Sequence, residues 1–532
     1  MSKLARFALA AAFAGAPALS APALAETPQD SLVMAFQIDD LITLDPAEVF
    51  EFTGAEYAAN VYDRLVTYPP DNVEDLRGHV AESWEIADDG RTYTFKVRDG
   101  ITFHSGNPLT SADAAWSLQR VVKLAKTPGF ILSQFGFTPE NVDERIKVVD
   151  DRTFTVELDK PYAPTFFLYC LTATVGSVVD KRLALEHEQD GDLGHAWLRT
   201  ASAGSGPFQL RSWKPNESLI VAGNPEYWGG PPGFERVIMR HIAEPATQML
   251  LLEKGDIDIA RNLEADQLDS LRDHPDINVT EVPKGAIYYL GLNQKNEYLA
   301  KPEVREALKW LVDYDGIGST IVKGSAVVHQ SFLPQGFLGA IDDKPYTLDV
   351  EKAKALLRQA GLEDGFTVTM DTRNASPLPE IAQVLQANWA EAGIELEILP
   401  GDNKQTLTKY RARTHDIYIG RWGPDYQDPH TNADTFASNP DNADGAPYTG
   451  KLAWRNAWEI PEMTATTAAA VLERDPARRA AMYEELQREH QKISPFVIMF
   501  QDVEVIAERA NVQGMIWGPS FDDNKYWKGR KE

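Results

Sequence analysis

The chain has 532 residues, 79 acidic against 52 basic side chains, a formal net charge of −27 and one cysteine. So acidic a surface argues against nucleic acid and anionic membrane as partners, and a lone cysteine excludes an internal disulfide. A chain this long is expected to divide into two or more domains, because single cores stop growing at roughly 250–300 residues.

Lys3 and Arg6 precede an apolar, alanine-rich run from Phe7 to Leu19, and Ala23-Leu24-Ala25 fits a cleavage site. Residues 1–25 therefore read as a secretory signal peptide, with Glu26 opening the mature chain. The run is short for a membrane span, and no cysteine follows the cleavage site to carry a lipid anchor. The expectation is a free, soluble periplasmic protein acting as a monomer. Residues 31–68 read as strand, loop, helix and strand.

Asp88-Asp89-Gly90 signals a turn. Tyr93, Phe95 and Val97 then alternate with polar residues, as a half-buried strand requires. Thr110 and Asp113 make a near capping box ahead of Ala114, Ala115, Trp116 and Leu118. Residues 154–158 alternate again. Cys170 lies in an apolar run and reads as a buried small side chain. Ser205-Gly206 has neither the lysine spacing of a phosphate loop nor the order of a nucleophile elbow. The acids of Gly255-Asp256-Ile257-Asp258 read as surface residues at a strand end.

From residue 286 the pattern becomes regular. A strand is expected at 287–292. Pro302 opens a helix at its favoured first position, with Val304, Ala307, Leu308 and Leu311 on one buried face. Asp349 caps a helix that ends at Gly361. Strands at 366–370, 394–399 and 416–420 alternate with helices at 379–391 and 408–413, which implies a parallel sheet with crossover helices. A late helix begins at Asp475-Pro476, and 496–500 is a final buried strand.

Residues 81–113 contain A-x-S-W, D-G-x-x-Y-x-F and R-x-G-x-x-F-H-x-G-x-P-L-T-x-x-D in succession. This closely resembles the signature of the family 5 extracellular solute-binding proteins of bacterial ABC importers, the peptide/nickel class. Leu44-Asp45-Pro46, Asn60-Val61-Tyr62-Asp63, Ser205-Gly206-Pro207-Phe208 and Asn224-Pro225-Glu226-Tyr227-Trp228 extend the likeness over nearly the whole mature chain. The resemblance puts His104 in a structural turn. It implies an α/β fold like the type II periplasmic binding proteins: two lobes, a two-crossing hinge and an inserted third domain. The first lobe would comprise 26–68, 201–282 and 503–532, the inserted domain 69–200 and the second lobe 283–502, with crossings near 282 and 502.

Ligands of open parallel sheets bind beyond the carboxyl ends of strands, which singles out Arg421-Trp422-Gly423-Pro424-Asp425-Tyr426 after the strand at 416–420. In relatives with a similar segment an aspartate holds a peptide's α-ammonium, and by position Asp425 takes that role; a plain turn residue is the alternative. Arg373 follows another strand of the same lobe, where dipeptide-specific relatives carry an arginine that binds the ligand carboxylate, a fit that guanidinium geometry favours; an ordinary surface arginine is the alternative. The two together suit a dipeptide. Arg421 is an extra cation without an assigned role. Trp422, Tyr426, Trp454 and Trp458 offer aromatic surface, the last two four apart as on a helix face, although core packing explains most such rings.

None of the ten histidines forms a metal-ligand cluster, no catalytic set is evident, and no cofactor is expected. The function implied is capture of a short peptide and its delivery to the membrane subunits of an ABC permease. Oligosaccharides, opine-like amino-acid conjugates or a nickel chelate are the alternative ligands, and an exported hydrolase the alternative class.

Overall fold

The computed structural model describes residues 26–70 and 72–532; the expected signal peptide lies outside them. Among the described residues no helix is long and apolar enough to cross a membrane.

The alternation in Thr92–Val97 builds the smaller sheet. Tyr93, Phe95 and Val97 are buried, while Lys96 points to solvent. The strand pairs antiparallel with Ala81–Ile86 and Thr153–Glu157, and the latter with Ile146–Asp150. Helix Ser111–Leu124 packs over this sheet. Its start is a full capping box: the Thr110 amide and hydroxyl donate to the Asp113 carboxylate at 2.9 and 2.8 Å. Stacked Phe95 and Phe154, with Phe135 and Phe167 edge to face, fill the core beneath. Cys170 is buried among them, and burial pushes its thiol well up, so it behaves as inert filler.

The larger sheet has eleven strands. In order across it lie Ile394–Gly401, Phe366–Arg373, Ile417–Trp422, Ile277–Leu292, Phe496–Arg509, Ile259–Ala260, Ser31–Phe36, Arg236–His241, Ser218–Gly223 and Phe208–Lys214, with Ala326–Val328 added on Phe496–Arg509. Phe366–Arg373 is parallel to both its neighbours, with helix Leu378–Glu391 crossing over to Ile394–Gly401. The parallel pattern goes no further on this side. Ile277–Leu292 runs antiparallel to both Ile417–Trp422 and Phe496–Arg509, so the sheet is mixed. Strand–helix alternation fixes direction only between strands joined by a crossover, and these strands come from distant stretches of chain.

Ile277–Leu292 and Phe496–Arg509 are the two longest strands, and the crossings expected near 282 and 502 fall within them. They pair from Ile277 opposite Arg509 to Pro283 opposite Val503, and again from Ile287 opposite Gln501. Between Pro283 and Ile287 the ladder is broken. The α/β fold is thus that of a type II-like periplasmic binding protein with a two-crossing hinge and an additional domain.

Local expectations hold at several helices, but the one expected at 408–413 runs from Asn403 to Arg411, started earlier by the Asp402 cap. Val304, Ala307, Leu308 and Leu311 are all fully buried. Asp349 and Asp475 each accept a backbone N–H at 2.9 Å, from Lys352 and Arg478, capping Val350–Gln359 and Pro476–Ile493. His104 Nε2 lies 2.9 Å from the Gly206 carbonyl, a structural turn contact.

Other expectations need correction. Asp258 is buried rather than on the surface, because the Val33 amide (2.8 Å) and the Lys531 ammonium (2.9 Å) satisfy its carboxylate. Trp454 and Trp458 share no helix face: Leu452–Arg455 is one turn, and Ala457 adopts φ 54° before Trp458. Both rings are buried, Trp454 donating to the Ala443 carbonyl at 3.0 Å. The strand expected to stop at 420 runs on to Trp422, so Arg421 and Trp422 belong to the ladder and only Gly423 opens the loop. The strand expected at 496–500 continues to Arg509, because beyond Gln501 it goes on pairing with Ile277–Pro283 and with Ile259–Ala260.

Candidate ligand cleft

Where the ladder breaks, Lys284, Gly285 and Ala286 face the loop Gly423–Gln427 across a chamber of about 50 Å³. Phe52, at the start of helix Phe52–Val61, and Phe521 stack at 4.4 Å on the chamber's other side. The chamber is thus walled by separate stretches of chain: Phe52 and Tyr68, Thr172 and Ala173, residues 284–286 with 423–427, and residues 519–522. A Cβ on Gly285 would sit 3.0 Å from the Pro424 ring, and one on Gly423 would touch Phe52 at 3.6 Å. Small residues here keep the chamber open. Its volume admits a few waters, so a larger guest needs the lobes to part.

Asp425 is half-buried, deep in the molecule yet open to this chamber. Its amide donates to Thr431 Oγ1 at 3.1 Å. Burial pushes its carboxyl up to about 7; the Thr431 hydroxyl and the more distant Arg455 pull the other way, while Asp434 adds to the rise. Among the described residues no cation forms an ion pair with it. A carboxylate desolvated, unpaired and facing a cleft is poised for a cationic group.

The other residues singled out divide. Arg421 is engaged: its guanidinium pairs with Asp502, which also accepts from Tyr288 Oη at 3.1 Å, and it lies 5.3 Å from the Phe52 ring centroid. Trp422 packs edge-on against Phe436, half-buried. Tyr426 borders the chamber, but its ring is buried against Phe166 of the smaller-sheet core, 5.8 Å between centroids, with Oη 3.4 Å from Gln134 Oε1. Arg373 ends its strand, donates to Asn403 Oδ1 at 3.1 Å, and leaves Nε without a partner. It is not part of the chamber wall around Asp425, though its charge is felt at Tyr288 and Tyr418.

Sequence patterns missed Phe52, Lys284 and Phe521. Lys284 lies in a long strand and Phe521 in a short turn near the C-terminus, and nothing in their spacing marks a site. Behind the chamber, Lys284 Nζ bonds the Gly518 carbonyl (2.6 Å), Asn524 Oδ1 (3.0 Å) and Glu504 Oε2 (3.0 Å). Arg261 bridges Glu504 and Glu56, both at 2.7 Å. Burial works to raise the Glu504 carboxyl, but Arg261 and Lys284 outweigh it and hold it well down. Among the described residues no cluster of histidine, cysteine and acidic side chains is arranged to hold a metal.

This geometry has known counterparts. The sequence model of bacterial extracellular solute-binding proteins, family 5 Middle, matches residues 75–444. The probable D,D-dipeptide-binding periplasmic protein DdpA of Escherichia coli (strain K12) is 29% identical over 502 residues, 94% of this chain and 93% of the relative. The dipeptide-binding protein of the same organism is 27% identical, covering 88% and 89%. Among solved structures, the periplasmic binding protein DppA from Helicobacter pylori, in complex with peptide STSA, superposes with a TM-score of 0.80 at 26% identity, covering 94% of this chain and 98% of that one. With more than half its length matched by the family's own pattern and its fold shared end to end, the chain belongs to the bacterial extracellular solute-binding proteins, family 5.

Proposed function

We propose that the protein captures short peptides, dipeptides foremost, between its two lobes in the periplasm and hands them, as a monomer, to the membrane subunits of an ABC permease. The observation that carries this reading is the unpaired Asp425 carboxylate at the interlobe chamber, which would receive the peptide's α-ammonium in a charge-assisted hydrogen bond. The peptide-binding relatives named above support it. Arg373 would take the ligand carboxylate at the outer end of its strand. Trp422, Gly423 and Tyr426 would shape the floor, and Arg421, held by Asp502, would fix the position of Phe52. The lobes would be 26–68, 201–282 and 503–532 on one side and 283–502 on the other, with 69–200 inserted and the hinge closing around the guest. The protein would return its ligand unaltered.

Calorimetry with dipeptides tests this. A dissociation constant on the order of micromolar or tighter is expected, with N-acetylated dipeptides far weaker. Asp425→Ala is expected to lose roughly 10²–10³-fold in affinity, as removal of one partner of a buried charge pair does. No heat from any dipeptide, with binding of an oligosaccharide instead, would overturn the reading.

A further inference from the structure

A second, larger cavity of about 330 Å³ opens beside the Asp425 chamber, and Tyr68 and Thr172 line both. Its wall carries Asp63, Arg64, Asp523, Lys525 and Lys528, with Arg77, paired to Asp75, also on it. The acids in this wall accept hydrogen bonds from neutral donors. Asp63 accepts from Ser205 Oγ at 2.9 Å and from Tyr227 Oη and Trp228 Nε1 at 3.0 Å each. Asp523 accepts from Tyr68 Oη at 2.7 Å.

The cations are not satisfied to the same degree. The Lys525 ammonium has a single hydrogen bond, to Thr67 Oγ1, stretched to 3.5 Å. Arg64 spends one nitrogen on the Thr172 carbonyl and another on Asp522 at 3.3 Å, and its Nε is buried without a hydrogen-bond partner. His79 Nε2 stands 3.6 Å from Asp63. An ammonium with three donors and one long contact is left short of acceptors, in a chain whose overall charge is strongly negative. Burial pushes the Lys525 ammonium down and Arg64 adds to the fall, while Asp523, Asp63 and Asp522 oppose it from a distance, none of these described residues forming an ion pair with it. What Lys525 offers the cavity is unused hydrogen-bond donors on an ammonium.

We propose that this cavity is a side-chain pocket of the peptide cleft, and that Lys525, with Arg64 beside it, receives the carboxylate of a glutamate or aspartate side chain of the bound peptide. The proposal rests on the peptide reading above and narrows it to acidic short peptides. Tyr68 and Thr172, shared by the two cavities, mark the place where the ligand backbone in the Asp425 chamber sends its side chain across.

The test is calorimetry of the full mature protein with Ala-Glu and Glu-Ala against the near-isosteric Ala-Gln and Gln-Ala, with Ala-Ala as the reference. At least one glutamate peptide is expected to bind about tenfold or more tightly than its glutamine counterpart, the worth of a hydrogen bond to a charged group. Lys525→Met should erase that ratio, leave the Ala-Ala affinity near wild type, and leave Lys525→Arg in between. If Ala-Ala and the glutamine peptides bind but glutamate brings no gain, or if Lys525→Met keeps the gain, the pocket assignment is overturned while the peptide reading stands. If no peptide binds at all, the peptide reading falls and takes this proposal with it. The wild-type comparison decides the question even if the methionine variant does not fold.

Discussion

Two acids, Asp425 lining the chamber and Glu504 behind it, are treated in opposite ways. Glu504, reached through Lys284, is held by two cations, with Glu56 completing the network through Arg261, Asn524 and Tyr526. Asp425 faces the chamber with the Thr431 hydroxyl beside it and Arg455 and Asp434 acting only from a distance, and burial pushes it up to about 7. The difference separates architecture from binding. A charge whose partner is supplied by the fold contributes to holding strands together; one without such a partner would, under the proposed function, meet its partner in the ligand. Both sit in comparable burial, so the contrast lies in compensation and not in depth.

The comparison can be broken most forcefully at Arg261. Arg261→Met leaves Glu56 and Glu504 short of their shared cation, and a loss of about 3–5 kcal/mol in unfolding free energy is expected from denaturant titration. A loss below about 1 kcal/mol would mean that the network is not the fold's clamp.

Proton linkage sharpens the other side. The free protein holds a proton on Asp425 below about pH 7, whereas a bound ammonium favours the carboxylate. Peptide affinity should therefore weaken by about tenfold per pH unit as pH falls below 7, until the carboxyl titrates in the complex too. The same raised value means that the unliganded fold binds this proton more tightly than the unfolded chain does. Its stability contribution is present at low pH and is lost as pH rises from about 4 through 7. Asp425→Asn should remove both trends: the mutant melts higher than wild type above pH 7 and shows no such affinity slope. A wild-type affinity profile flat from pH 8 to pH 5 would contradict this role for Asp425.

The smallest effect is expected at Arg373, whose guanidinium is partly engaged by Asn403. Arg373→Ala should cost about tenfold in affinity for dipeptides with a free carboxylate and nothing for their C-terminal amides. Equal losses on both would make it a packing residue.

Local rules read well from the sequence. The Thr110–Asp113 box, the buried phase of Val304, Ala307, Leu308 and Leu311, and the alternation of Tyr93, Phe95 and Val97 each depend on neighbours within a few residues. What stayed hidden depends on partners far along the chain. Asp258 looked like a surface acid because its ammonium partner, Lys531, lies 273 positions away, close to the other end of the chain. The packing of Tyr426 was equally hidden, because the phenylalanines its ring joins lie more than 250 positions earlier. The Asp425 loop was legible from a family likeness, yet the cavity beside it was not: Asp63 and Lys525 come from opposite ends of the sequence. Direction in the large sheet failed for the same reason, since antiparallel pairing of Ile277–Leu292 and Phe496–Arg509 leaves no local mark.

Lys531 also bonds Thr27 Oγ1 at 2.8 Å and the Pro28 carbonyl at 2.9 Å, and its own carbonyl accepts from Gln29 at 2.9 Å. The described chain therefore closes on itself like a clasped ring. The segment that opens at Thr27 and the segment that carries Lys531 fasten each other, and the buried Asp258 draws its ammonium from 273 positions further along the chain. A backbone cut anywhere between them would leave both segments still held together.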